Sequence, residues 1–132
     1  MGLFRSSRAP GDVGRFESPH PPRETLQVLY AGLASQLSVQ EFAVTEPGPM
    51  AAIYLSRLGV DGITVTAGNS AETYFAFHVD LTPTATGCTG HAYYDRPERQ
   101  IRRWTGNAIK INAGVQMALH SASARISTWR TG

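Results

Sequence analysis

Residues Thr73–Leu81 alternate without a break, with Phe75, Phe77, Val79 and Leu81 in one set and Tyr74, Ala76, His78 and Asp80 in the other. Successive side chains of a strand point to opposite faces, so this segment is a strand with one apolar and one polar side. The connection that follows, Thr82-Pro83-Thr84-Ala85-Thr86-Gly87, is too short for a parallel crossover. The next strand, about Cys88 to Tyr94, therefore returns antiparallel. A sheet with one apolar face must be covered by another layer.

The rest of the chain supplies that layer. Leu26, Leu29, Tyr30, Leu33 and Leu37 recur at helical spacing behind Pro22, a residue tolerated in a first turn, and predict a helix from about Pro22 to Gln36. Asp95-Arg96-Pro97-Glu98 reads as the start of a second helix, with Asp95 as cap and Glu98 at the third position. Ile101, Trp104, Ala108, Ile111, Val115, Leu119 and Ala122 continue it, with Trp104 central on the apolar stripe. Between the helices, Phe42 and Val44 suggest a short strand, and Met50–Leu58 with Gly62–Ala67 form a hairpin around Gly59-Val60-Asp61-Gly62.

The order α-β-β-β-β-β-α predicts an α+β two-layer fold. An antiparallel sheet of about five strands carries both helices, the N-terminal and the long C-terminal one, on one face. This single domain spans residues 22–124. Residues 1–21, rich in Pro, Gly, Ser and Arg with no apolar period, are expected to be a flexible tail. Residues 125–132, with Trp129, are expected to be a short basic C-terminal tail.

At 132 residues the chain suits one domain. No apolar run reaches the roughly 18 residues of a membrane span. A single cysteine, Cys88, excludes an internal disulfide framework, and the absence of an apolar leader makes a soluble cytoplasmic protein the expectation. The formal net charge of +2 hides a strong segregation. Residues 41–95 hold Glu41, Glu46, Asp61, Glu72, Asp80 and Asp95 against Arg57, whereas residues 96–132 hold six arginines and Lys110 against Glu98. Opposed surfaces of this kind orient partners or second copies of a chain.

No metal-protease, redox, nucleotide-binding or serine-nucleophile motif occurs. Three surfaces remain as candidates. If the Thr73–Tyr94 hairpin is centred between Thr84 and Ala85, His78 faces His91 across the strands, with Asp80 beside them. That group could take a divalent metal or a small ligand, or act as acid and base; no other cofactor is implied. Cys88 and His91 have opposite strand parity, which argues against a thiol–imidazole pair and for a buried, inert thiol. Arg96, Arg99, Arg103 and Lys110 align on the outer face of the second helix, a candidate anion or nucleic-acid surface. Tyr54, Tyr74 and Tyr93 on the polar sheet face form a candidate contact surface. The leading expectation is a non-catalytic binding or assembly module acting through protein contacts, self-association into a homodimer included. The alternatives are a ligand-binding protein or enzyme using His78 and His91, and nucleic-acid binding through the second helix.

Overall fold

The computed structural model describes residues 11–38, 42–97, 100–101 and 105–129. Its elements are β1 (Asp12–Ser18), α1 (Pro22–Leu37), β2 (Ala52–Leu58), β3 (Gly62–Gly68), β4 (Thr73–Thr84), β5 (Gly87–Tyr94), α2 (Thr105–Ser121) and β6 (Arg125–Trp129). Six strands form one sheet in the order β2-β3-β4-β5-β1-β6, every neighbouring pair antiparallel. Two helices on this sheet make the α+β two-layer arrangement that the pattern predicts, with three differences in the strand inventory.

Parts of both expected tails are strands, while residues 1–10 and 130–132 lie outside the described residues. Residues Asp12–Ser18 lie between β5 and β6, paired on both edges. Arg125–Trp129 closes the sheet as an edge strand, and Trp129 donates its indole N–H to Asn112 Oδ1 on α2 at 2.7 Å. The strand expected at Phe42–Thr45 is reduced to an isolated parallel bridge between Val44 and Leu55.

Alternation explains the layers. Phe75, Phe77, Val79 and Leu81 of β4 are buried and meet Leu26, Leu29 and Leu33 of α1 together with Ile111, Val115 and Leu119 of α2 in one apolar cluster. Each such side chain contributes on the order of 1.5–3 kcal/mol by leaving water. Helix α1 stops where Ser38 turns left-handed (φ 58°), its N–H bonding the Ala34 and Ser35 carbonyls. The two helices approach closely at Gly32 and Gly114, where a Cβ on Gly32 would stand 2.8 Å from the Gly114 carbonyl oxygen.

The second helix begins later than the capping signature implies. Asp95 lies in a bend, and α2 starts at Thr105. Its carboxylate instead accepts from the Ala76 N–H at 2.9 Å and from Arg96, which ties the end of β5 to β4. Trp104 lies outside the described residues.

Candidate functional site

The hairpin of β4 and β5 turns at Ala85 and Thr86, with Thr84 opposite Gly87. Its centre therefore lies one position later than expected, and every cross-strand partner moves by two residues. A shift of two preserves parity, so the faces are as expected while the partners differ. His78 faces Tyr93, Asp80 faces His91, and the direct His78–His91 pair is not formed.

The Tyr93 ring instead stands between the two imidazoles. Its centroid lies 4.9 Å from His78, nearly parallel, and 4.8 Å from His91. The Tyr93 hydroxyl donates to Asp80 Oδ2 at 2.6 Å, and the other Asp80 oxygen accepts from Arg57 at 3.0 Å. His78 Nδ1 bonds the Thr64 hydroxyl at 2.9 Å, and His91 Nε2 bonds the Asp12 carboxylate. The bulge in β2 between Leu55 and Arg57 presents both Ser56 and Arg57 to this face, where Ser56 meets Thr66 and Arg57 reaches Thr64.

The electrostatics follow from these bonds. The bond to Asp80, then burial, pushes the Tyr93 phenol up to about 12. Burial holds His78 below its ordinary range although Asp80 and Asp95 oppose the shift. Burial also raises the Asp95 carboxyl, but its bonds from Arg96 and the Ala76 N–H outweigh that and hold it below the usual carboxylate range. Among the described residues no group of three or more His, Cys, Asp or Glu side chains is arranged to hold a metal ion.

The other expected surfaces are only partly present. Tyr54 and Tyr93 are half-buried, while Tyr74 packs against the apolar cluster. Lys110 is exposed on α2, Arg96 lies before that helix and bonds Asp95 and the Thr73 carbonyl, and Arg99 and Arg103 lie outside the described residues. Cys88 is buried, its thiol donating to Thr25 Oγ1.

A site that sequence reasoning missed lies at the β2 end of the molecule. Helix α1 packs over β3 and β4 and leaves the edge strand partly uncovered. An open groove of about 820 Å³ results, with Leu26, Phe42 and Leu55 in its floor and the Tyr30 and Phe42 rings 5.5 Å apart in one wall. Its rim holds Val60, Val44 and Leu58, which are 88%, 56% and 45% exposed. The available signal was an aliphatic residue, Val60, at the tip of a glycine turn, where polar side chains are usual.

No protein-family model matches this chain, and no curated protein matches it in sequence. Among solved structures it is similar to the crystal structure of protein MLL2253 from Mesorhizobium loti. The TM-score is 0.53 at 16% identity, over 83% of this chain and 96% of that one. At this identity the likeness is one of fold. Among the described residues no helix is long and apolar enough to cross a membrane.

Proposed function

We propose that this chain is a small non-catalytic binding module whose working surface is the apolar groove between α1 and the edge strand β2. The observation that carries the reading is the gathering of Val44, Leu58 and Val60 around a concave apolar floor. Exposed aliphatic side chains scattered singly are ordinary, whereas a cluster of them at a cavity marks a place where another molecule is held. A partner, protein or other, acts here by offering an apolar group.

The polar sheet face supports a reaction less well, because its carboxylates are already engaged: Asp80 by Tyr93 and Arg57, and Asp12 by His91. Those bonds stiffen the sheet and leave the histidines as parts of an internal network.

Ala43 is exposed in the groove wall, so Ala43→Trp fills the space without disturbing the core. Titration with a neutral apolar dye, Nile red, is expected to show uptake by the wild type and loss of uptake in Ala43→Trp, with urea stability unchanged. No uptake by the wild type, or equal uptake by the plugged variant, would remove the reading.

A further inference from the structure

We infer that the occupant of the groove is an amphiphile with one apolar chain and a carboxylate head, the chain against Leu26, Phe42, Leu55 and Leu58 and the carboxylate at Arg23. The inference rests on the groove being the working surface. Among the described residues Arg23 is the only charged side chain in its lining. The charge therefore complements an anion at one end of an apolar body.

Arg23 also lies in the first turn of α1, whose cap, Pro21, has no side-chain hydrogen bond to offer the helix start. The positive end of the helix dipole thus adds to the guanidinium at the same rim. The groove volume of about 820 Å³ falls within the range of small-molecule sites.

An extended peptide fits less well. The middle of the β2 edge is already paired, since the Thr45 N–H donates to the Leu55 carbonyl at 2.9 Å and Val44 bridges Leu55. An incoming strand would find that part of the edge closed and would bring its own N–H and C=O groups against apolar walls. An acyl chain carries no such groups.

The test is calorimetric titration of the full chain with sodium decanoate and decyltrimethylammonium, each below its micelle concentration, and with 1-decanol below its solubility limit. Decanoate is expected to bind most tightly. Arg23→Glu is expected to weaken decanoate about tenfold, as reversing one exposed charge can do, and to leave decanol unchanged. An acidic residue is favourable in a first helical turn, so this variant keeps its fold, which circular dichroism checks. Arg23→Lys should restore most of the decanoate affinity.

If decanoate binds no more tightly than decanol or the ammonium, or if Arg23→Glu changes nothing, the carboxylate assignment is overturned while the groove reading stands. If none of the three binds, the groove reading fails and takes this inference with it. A concentration-dependent dimer in sedimentation that Val60→Glu dissolves would identify the occupant as a second copy of the chain and overturn the proposal.

Discussion

Tyr93 donates its hydroxyl to Asp80 at 2.6 Å, and Asp80 sits diagonally across the strand pair, two residues beyond Tyr93's direct partner His78. Ionising that phenol removes the donor and sets two negative charges together. Tyr93 is therefore expected to titrate near pH 12. Its raised pKa contributes stability that is present below about pH 10, the unfolded value, and is lost as pH rises through the folded one. An ultraviolet titration of phenolate absorbance should show this late step in the wild type, and Tyr93→Phe should lack it.

His78 gives dependence at the other end of the scale. Its burial disfavours the imidazolium, so the unfolded chain takes up this proton near pH 6.5 while the folded chain does so only at lower pH. Stability from this group is full above the unfolded value and falls as pH drops through the folded one. Proton NMR of the ring should place the midpoint below that of a model imidazole, and His78→Gln should flatten part of the acid limb of the urea midpoint. A midpoint at or above the model value would contradict the burial argument.

Phe16 covers Gly90 closely enough that a Cβ there would stand 2.0 Å from the ring. Gly90→Ala should destabilise the fold by about 1–3 kcal/mol through overpacking. Phe16→Ala should cost about 3–5 kcal/mol through the cavity it leaves. The double variant should be more stable than the sum predicts, because each change relieves the other. Additive urea denaturation values would mean the two residues do not touch in solution.

Trp129 distinguishes a strand from a tail. It stacks over Gly14 in the neighbouring strand and bonds Asn112 on α2. Trp129→Ala is expected to lower stability by about 1–3 kcal/mol, whereas truncating a residue in a solvated tail changes it by less than about 0.5. Chemical denaturation decides between them.

The parts of the fold that were legible in the sequence are those where one physical signal dominates. The β4 alternation placed Phe75, Phe77 and Val79 in the core and His78 and Asp80 on the other face, and Leu26, Leu29 and Leu33 marked the buried side of α1. The hairpin register was not legible, because moving the turn by one residue keeps every side chain on its face and changes only its partner. Strand β1 was hidden for another reason. A bulge between Asp12 and Gly14 breaks its period, and Arg15 and Glu17 are exposed, so the segment resembles a solvated tail. Asp95 carried a true polar signal with a different acceptor role, since the N–H it binds belongs to Ala76 of another strand. The groove could not be read, because it arises from where α1 sits across a six-stranded sheet.

The placement of β1 between β5 and β6 has a consequence for the order in which the chain can assemble. The β2–β5 meander is built from neighbours in sequence and can form as soon as residues up to Tyr94 have left the ribosome. One edge of β1 must wait for β5, and its other edge stays open until Arg125–Trp129 arrives. These long-range closures raise the contact order and slow the final step. Until then the growing chain exposes an unpaired strand margin, and in that interval intermolecular strand pairing competes with folding.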